Sequence, residues 1–216
     1  MGTPGVFVTI EGVDFSGKST LVANLRRLFD GADEPVYFTR EPGGTPAGER
    51  IRKVLLDPDL EMQPVTEAYL YAAARAEHVR SELLPRLRAG ETVLCERFLD
   101  SSLAYQGGGR ELGTEFVRRM NGFALRTPEG ELLPDLTFYL RLSPAERERR
   151  AAARGALDRL EGSGAEFMAK VEASFEELVA AEPDRCRVLD ATRPPEELSA
   201  AVFAEVRARR SPAVDA

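Results

Sequence analysis

A glycine-rich turn directly follows the first β-rich run of this 216-residue chain, and it constrains the fold more than any other feature. The run VFVTI (6–10) leads into residues 12–20, which read GVDFSGKST and match the pattern GxxxxGKS. Between a strand and a helix, such a turn lets successive backbone N–H groups face a phosphate chain at the positive end of the helix dipole. The sequence therefore predicts a strand–turn–helix unit that binds a nucleoside triphosphate.

The residue types within this turn match the chemistry of phosphate binding. All of its members are candidate ATP contacts: Gly12, Val13, Asp14, Phe15, Ser16, Gly17, Lys18, Ser19 and Thr20. Lys18 is expected to reach the β- and γ-phosphates as a catalytic residue, and Ser19 is expected to ligate Mg²⁺. Lysine occurs only at Lys18, Lys53 and Lys170 among the 29 basic residues. Its retention at position 18 favours phosphate binding over the alternative, a glycine-rich helix start that binds nothing.

Five β-rich runs alternate with stretches of helical spacing along the chain. The runs are VFVTI (6–10), PVYFT (35–39), TVLCE (92–96), LTFYLRL (136–142) and CRVLD (186–190). The helical stretches are about 18–29, 45–56, 65–88, 111–125, 144–154, 164–182 and 195–209. This alternation predicts a mostly parallel, helix-covered sheet, with the two nearly continuous apolar runs, the first and the third, at its centre. Pro85 predicts a kink or an early end in the third helix.

Composition and charge restrict the classes of protein to which the chain can belong. Apolar residues make up 43% and charged residues 30%, and no linker is apparent, so we interpret residues 1–216 as one domain with a frayed tail at 211–216. The net charge of −7 argues against a nucleic-acid partner. The absence of a long apolar stretch or a signal peptide predicts a cytoplasmic protein with no membrane partner. Cys95 and Cys186 lie in apolar runs and are expected to be buried strand residues.

Further segments at the ends of the predicted strands carry a resemblance to a known family. They are EGVDFSGKST (11–20), TREPGGT (39–45), ERFLDSSLAYQGGGR (96–110), PDLTFYL (134–140), RGALDRLE (154–161) and LDATRPPEEL (189–198). In order and spacing, these segments resemble thymidylate kinases from residue 6 to about residue 205. The resemblance implies an α/β P-loop kinase fold, a five-stranded parallel sheet flanked by helices on both faces, with a small basic lid at about 144–162. It also implies phosphoryl transfer from ATP to dTMP, giving dTDP and ADP for dTTP synthesis, with Mg²⁺ as cofactor and a homodimeric assembly.

Charged residues just past the strand ends are candidates for binding the acceptor phosphate. Ligands of open α/β sheets bind at the carboxyl ends of the strands, where Arg40, Glu96 and Arg97 lie. Because an arginine can bind a phosphate through two parallel hydrogen bonds, Arg97 is expected to hold the acceptor phosphate as a catalytic residue, with Arg40 nearby or orienting it. A loop salt bridge is the alternative for Arg97. Glu96 stands where the resembling family usually has Asp, and it is expected to hold Mg²⁺ or its water shell opposite Ser19.

The third predicted helix supplies candidates for binding the nucleoside. Tyr71 and Arg75 are four residues apart and therefore share one helix face. The resemblance implies that Tyr71 stacks on thymine and that Arg75 bonds a base carbonyl. From the residues alone, a packing tyrosine and a surface arginine are the alternative.

The resemblance implies further substrate contacts beyond this helix. Ser101 and Ser102 are implied at the edge of the base. The resemblance implies that Tyr105 lies against the 2′ position of the sugar, which favours deoxyribose. It also implies that Gln106 supports this wall of the pocket. Asp14 is implied at the sugar hydroxyl of dTMP or at magnesium.

The basic lid is expected to supply a cation to the transferring phosphoryl group. Some family members have an arginine at the turn position that Phe15 occupies here, so this chain needs another source. The lid arginines are Arg147, Arg149, Arg150, Arg154 and Arg159. An arginine that closes onto the β–γ bridge stabilises the charge that shifts during transfer. Arg150 and Arg154 are expected to be the catalytic ones, and others to form a solvated helix face.

Three single residues complete the expectations. Arg193, just after the fifth strand, resembles the family's loop near adenine and is expected to contact ATP. His78, the only histidine, is interpreted as a helix-surface residue. Arg141 departs from the family, which often has an acidic residue at this strand end, and the sequence offers no reason for the change.

Two other functions share the same turn. A kinase of dCMP, UMP or a deoxynucleoside is the nearer alternative, and Tyr71, Arg75 and the loop at 101–105 argue against it. A non-catalytic nucleotide-binding switch is the other. It would give Arg97 and the basic lid no role, and no NKxD-like guanine signature occurs in the chain.

Overall fold

The computed structural model of the protein describes residues 5–153, 159–160 and 162–210. The strands are β1 Phe7–Glu11, β2 Val36–Arg40, β3 Thr92–Glu96, β4 Arg126–Thr127, β5 Gly130–Glu131, β6 Leu136–Arg141 and β7 Cys186–Asp190. The helices are α1 Lys18–Gly31, α2 Pro46–Leu56, α3 Pro64–His78, α4 Leu84–Arg88, α5 Leu99–Ser102, α6 Thr114–Leu125, α7 Pro144–Ala152, α8 Ala165–Ala181 and α9 Pro195–Arg210. Two π-helical turns occupy Val79–Leu83 and Leu103–Gly109.

Five strands form one parallel sheet in the order β2-β3-β1-β6-β7. All five residues of β1 are buried, as are the first four of β3. The predicted central position of these two apolar runs is confirmed, because a strand covered on both faces has no polar side. In register, Glu96 lies opposite Ile10 on one side and Arg40 on the other. The carboxyl ends of β1, β2 and β3 therefore meet at one edge.

Each face of the sheet carries its own core, since successive side chains of a strand point to opposite faces. Val8 and Ile10 pack in a cluster with apolar residues of α1 and α9. Phe7 and Cys95 pack in another cluster with residues of α4 and α6. Cys95 and Cys186 are both buried and unpaired, as expected. The helix-covered sheet confirms the predicted fold class, and in the described part of the chain no helix has the length and apolar character needed to cross a membrane.

The third helical stretch is interrupted close to Pro85, as predicted. The α-helical turns stop at His78, and the amide of Leu84 donates to the carbonyl of Val79, five residues earlier. Pro85 lies in the first turn of α4, directly after the π-helical turn Val79–Leu83, and has no N–H with which to continue its hydrogen bonding.

The interpretation of His78 as a helix-surface residue is wrong. Its ring is fully buried, with Nε2 at 2.8 Å from Thr39 Oγ1 and Nδ1 at 3.0 Å from Glu41 Oε1. This face of α3 is covered by the end of β2 and by the residue that follows it. Helical spacing alone does not show which loop covers a helix face.

The segment after β3, to which the sequence analysis assigned no element, is helical. It forms α5 and the π-helical turn Leu103–Gly109, which pack against α6 and α8. Gly109 is needed for the contact with α8, because a Cβ at this position would lie 2.6 Å from the ring of Phe167. The resulting close approach fixes the helical segment at the sheet edge, beside the phosphate-binding turn.

Candidate active site

The phosphate-binding turn joins β1 to α1 at the carboxyl edge of the sheet. Gly17 precedes α1 in a left-handed conformation, with φ of 96°. Gly12 has φ of 144°, and a Cβ there would lie 2.9 Å from the carbonyl oxygen of Leu140. Both positions therefore favour glycine. Since Gly17 has no side chain to cap α1, the first N–H groups of the helix are available to an anion.

Lys18 and Ser19 lie at the start of α1, next to Glu96 at the end of β3. The Lys18 ammonium donates to the carbonyl of Val13 at 2.8 Å. Burial lowers the pKa of Lys18 to about 8, and the charge of Arg97 adds to this effect. Ser19 Oγ donates to Glu96 Oε1 at 3.0 Å, which brings the two predicted metal ligands together.

This pair of oxygens suits a hard divalent cation. Mg²⁺ is typically held by one or two protein oxygens together with substrate phosphates. Within residues 5–153, 159–160 and 162–210, no cluster of three or more His, Cys, Asp or Glu forms a metal cage. Ser19 and Glu96 fit the sparse kind of site that a phosphate-bound Mg²⁺ needs.

Arg97 lies at the centre of the site, where its guanidinium joins the turn to the segment after β3. Its Nη1 donates to the carbonyl of Gly12 at 2.8 Å and to Ser101 Oγ at 3.1 Å. Its Nη2 pairs with Asp14 and lies 3.3 Å from the hydroxyl of Tyr105. Tyr105 in turn donates to Asp14 at 2.8 Å. Burial acts to raise the pKa of Asp14, but the cationic neighbours outweigh it and hold that pKa below its usual range.

Glu11, which the sequence analysis did not select, supports the backbone around Arg97. Its side chain is fully buried at the end of β1 and accepts hydrogen bonds from the amide of Phe98, at 2.7 Å, and from Ser101 Oγ. Burial, followed by the charge of Asp100, raises the pKa of Glu11 to about 7. A carboxylate at the end of the central strand is the signal that could have identified it.

A pocket opens between this centre and α3. Its lining is Asp14, Glu41, Pro42, Arg52, Leu56, Tyr71, Arg75, Arg97, Phe98, Ser101, Ser102, Tyr105, Gln106 and Leu160. Every predicted substrate-binding residue except Arg40 is in this set. Arg40 instead donates to both carboxylate oxygens of Glu49 at 2.9 Å, and half of its side chain is exposed. Arg52, which the prediction missed, lines the pocket and donates to the carbonyl of Pro42 at 3.0 Å.

Arg75 is held rigidly in the pocket wall, with 1% of its surface exposed. Its Nε donates to Glu41 at 2.8 Å, and its Nη1 donates to Asn121. Its Nη2 donates to the carbonyl of Phe98 at 2.9 Å and to Ser102 Oγ at 3.0 Å. The alternative of a surface arginine is therefore wrong. These contacts use four of the five N–H groups of the guanidinium, so one N–H of Nη1 remains for a ligand.

Tyr71 lines the same pocket one helical turn before Arg75. The ring is partly buried, and burial followed by the nearby charge of Glu67 raises the pKa of its hydroxyl. A neutral aromatic ring beside a fixed guanidinium suits a flat heterocycle with a carbonyl edge.

Arg150 is the lid arginine that the structure brings to the phosphate-binding turn. Its Nη1 donates to the carbonyl of Phe15 at 3.2 Å, and its Nη2 to the carbonyl of Ala191 at 2.8 Å. Its Nε donates to Glu146 at 2.8 Å. These contacts aim a guanidinium at the place where a triphosphate would lie.

The other lid arginines have different surroundings. Arg147 and Arg149 pair with glutamates of α8 and α7, respectively. Arg159 donates to the buried carboxylate of Glu67 at 2.6 Å, on the pocket side of the site. Arg154 lies outside the described residues.

Two arginines at strand ends complete the edge of the sheet. Arg193 follows β7, is largely exposed and donates to Glu197 at 2.8 Å. Arg141, at the end of β6, pairs with Glu176 of α8. This surface ion pair gives a structural reason for an arginine at a position where the sequence offered none.

Comparisons with known proteins agree with this arrangement. A family model described as thymidylate kinase matches residues 10–202. A thymidylate kinase from Deinococcus radiodurans is 48% identical over 205 residues, covering 95% of this chain and 98% of the relative. One from Leifsonia xyli subsp. xyli is also 48% identical, over 207 residues, covering 95% of this chain and 94% of the relative.

A solved structure supports the same conclusion. The crystal structure of a thymidylate kinase from Ehrlichia chaffeensis matches with a TM-score of 0.74 and 27% identity, over 94% of this chain and 100% of that one. Family model, relatives and structure agree over nearly the whole length, so the chain belongs to the thymidylate kinase family.

Proposed function

We propose that this chain transfers the γ-phosphoryl group of ATP to the phosphate of dTMP, giving dTDP and ADP for dTTP synthesis. The observation that carries the proposal is the 2.8 Å hydrogen bond from Arg97 Nη1 to the carbonyl of Gly12. It joins the arginine at the centre of the acceptor pocket to the first residue of the phosphate-binding turn. A donor phosphate on the turn and an acceptor phosphate at Arg97 would then be neighbours, as direct transfer requires.

The turn and α1 supply the groups for the donor phosphates. Lys18 can leave the Val13 carbonyl for the β- and γ-phosphates, whose negative charge would stabilise its ammonium form. The buried hydroxyl of Ser16 has no hydrogen-bond partner among the described residues, which suits an incoming phosphate oxygen. Ser19 and Glu96 would hold Mg²⁺, which when bound neutralises charge on the phosphates. Arg193 is proposed to lie near adenine.

The pocket supplies the groups for dTMP. Arg97 would bind the acceptor phosphate, with Arg40 as a more distant orienting cation. Tyr71 would stack on the base while the free N–H of Arg75 meets a base carbonyl. Tyr105, fixed by Asp14 and Arg97, would close the space next to the 2′ carbon, which supports a preference for deoxyribose.

The reaction itself needs positioning more than proton transfer. A phosphate monoester is largely ionised near pH 7, so its oxygen attacks without a general base. Arg97 keeps that oxygen next to the turn, and Arg150 approaches from the other side, over the Phe15 carbonyl. We propose that Arg150, with or without Arg154, stabilises the charge that develops during transfer.

We also propose a homodimer of single-domain chains. Large apolar side chains are exposed on two neighbouring helices, Val65 and Tyr69 on α3 and Phe116 and Phe123 on α6. Such a patch is a common sign of an interface, and sedimentation velocity would test it. The absence of nucleic-acid and membrane partners and the cytoplasmic location stay predictions.

The test of the function is product formation from Mg·ATP with dTMP, dUMP, UMP, dCMP, AMP and thymidine in separate reactions. Separation of the nucleotides identifies each product. Strong preference for dTMP is the expected result. Turnover of thymidine or of a cytosine nucleotide in its place would contradict the assignment of the pocket while leaving the phosphate-binding turn intact.

A further inference from the structure

Glu67 is a fully buried carboxylate in the first turn of α3, one turn before Tyr71. Its Oε1 accepts hydrogen bonds from Nε2 of Gln106 at 2.9 Å and from Arg110 Nε at 3.3 Å. Its Oε2 accepts hydrogen bonds from Arg159 Nη1 at 2.6 Å and from Arg110 Nη2 at 3.1 Å. No part of the proposed mechanism uses this carboxylate, although it lies directly behind the pocket.

The contact with Glu67 determines which end of the Gln106 amide is free. An ionised carboxylate only accepts hydrogen bonds, so the nitrogen of the amide must face it. Arginine N–H groups donate to both oxygens of this carboxylate, so each oxygen is an acceptor. Gln106 is a lining residue of the pocket, and no described group donates to its Oε1. The carbonyl oxygen is therefore the group that Gln106 offers to a ligand.

We propose that Glu67 is a positioning residue for pyrimidine selectivity. By holding the nitrogen of Gln106, it makes the pocket present a hydrogen-bond acceptor in the same lining as the donor of Arg75. Thymine and uracil carry an N3–H next to a C4 carbonyl, which is the complementary pattern. Cytosine carries a lone pair on N3 next to an amino group and is mismatched at both positions. This inference rests on the proposed function and specifies how the site selects the base of its nucleotide substrate.

The substitution Glu67→Gln should reverse this arrangement. Arginine donors cannot donate to an amide nitrogen. The two that contact Oε2, at 2.6 and 3.1 Å, outweigh the single 3.3 Å contact of Arg110 Nε with Oε1, so the carbonyl oxygen of the introduced amide would stay at the present Oε2 position. The new NH₂ group would then face Gln106 at the present Oε1 position. Gln106 satisfies that donor only by turning its own oxygen toward it, which leaves its NH₂ group facing the pocket.

The experiment measures kcat/KM for dTMP and for 5-methyl-dCMP, which share the methyl group, sugar and phosphate. A site built to hydrogen-bond a substrate group rejects analogues strongly, so we expect the wild-type ratio to be about 10³ or more. In Glu67→Gln the ratio should fall by at least about tenfold, because one pocket group then favours the wrong base. Arg110→Gln is the matched control, since it removes a charge from the same cluster but keeps the carboxylate. Its ratio should stay at the wild-type value.

The outcomes separate this inference from the proposed function. If the wild-type protein does not phosphorylate dTMP, the function itself fails. If it does, and Glu67→Gln keeps the wild-type ratio, or Arg110→Gln lowers the ratio equally, the positioning role of Glu67 is overturned. Should Glu67→Gln not fold, Gln106→Met decides, because methionine has a similar length without the carbonyl. A full wild-type ratio in Gln106→Met overturns the proposal, and a fall of at least about tenfold supports it.

Discussion

Arg150 of α7 donates to the carbonyl oxygen of Phe15 at 3.2 Å, in the middle of the phosphate-binding turn. The same Nη1 lies 3.8 Å from where a Cβ of Gly17 would be. Because Gly17 has no side chain, no side-chain atom of this residue lies between the guanidinium of Arg150 and the turn. A lid arginine thus contacts the backbone of the turn position at which some family members have an arginine.

Removal of this guanidinium should impair the chemical step. We expect Arg150→Ala to lower kcat by about 10²-fold or more, because a preorganised cation at the transferring group is lost. Arg149→Ala is the matched control, since Arg149 is on the same helix but is exposed and pairs with Glu146. Single-turnover kinetics with saturating Mg·ATP and dTMP would measure the step directly. Equal rates for Arg150→Ala and the wild type would contradict the assignment.

A cation restored at the turn should partly compensate for the loss. Phe15 has φ of 64°, a conformation that arginine adopts no less readily than phenylalanine does. We therefore expect Phe15→Arg combined with Arg150→Ala to recover at least about tenfold of the lost kcat. Phe15→Leu combined with Arg150→Ala controls for the loss of the ring and should recover nothing. Recovery in the leucine variant would mean that charge is not the cause.

The fold was predictable where local pattern and burial coincide. The run around Val8 and Ile10 is apolar throughout because β1 is covered on both faces, and the turn after it identified the first helix. The segment Leu103–Gly109 was not predictable. Its three consecutive glycines indicate a loop, and they are helical here because α8 packs closely against Gly108 and Gly109 while α6 packs against Gly107. The contact with α8 joins residues more than 50 positions apart.

The lining of the pocket was predictable where polar side chains lie at strand ends or on one helix face. Arg97 and the pair of Tyr71 and Arg75 are such cases. Glu67 was missed because its local setting has an ordinary explanation. An acidic residue in the first turn of a helix is common as a partner of the helix dipole. Only the tertiary structure shows that Glu67 is fully buried behind the pocket.

Lys18→Ala should abolish turnover without harming the fold. The ammonium is buried and its pKa is lowered to about 8, chiefly by burial, so its removal relieves a desolvation cost. We expect activity to fall below detection while the thermal midpoint stays equal or rises. Lys53→Ala, an exposed change on α2, is the control for both measurements. Wild-type-like rates in Lys18→Ala would remove the turn from the mechanism.

Glu96 should determine the magnesium requirement. Glu96→Gln removes the anionic oxygen that lies 3.0 Å from Ser19 Oγ. We expect the Mg²⁺ concentration for half-maximal activity to rise by at least about tenfold, because Mg²⁺ prefers charged oxygen ligands. Glu96→Asp keeps the charge and should stay within a few-fold of the wild type. An unchanged Mg²⁺ titration in Glu96→Gln would contradict a metal role for this carboxylate.

Glu11 should make the stability of the fold depend on pH. Burial and Asp100 raise the pKa of Glu11 to about 7 in the folded protein, against an ordinary value of 4.5. The folded state therefore binds the proton more tightly than the unfolded state does. The stability that Glu11 contributes in its protonated form is present below pH 4.5 and is lost as the pH rises through about 7.

Glu11→Gln removes this dependence, because the amide does not titrate. The difference in the free energy of unfolding, variant minus wild type, should thus increase between pH 4.5 and about 7, by a few kcal/mol for a shift of this size. It should then level off at higher pH. Lost hydrogen bonds to Phe98 and Ser101 add an offset that does not vary with pH. Urea unfolding of both proteins at pH 5, 6, 7 and 8 measures the difference. If the free energies of unfolding of the two proteins run parallel across this pH range, Glu11 titrates alike in the folded and unfolded states and the prediction is wrong.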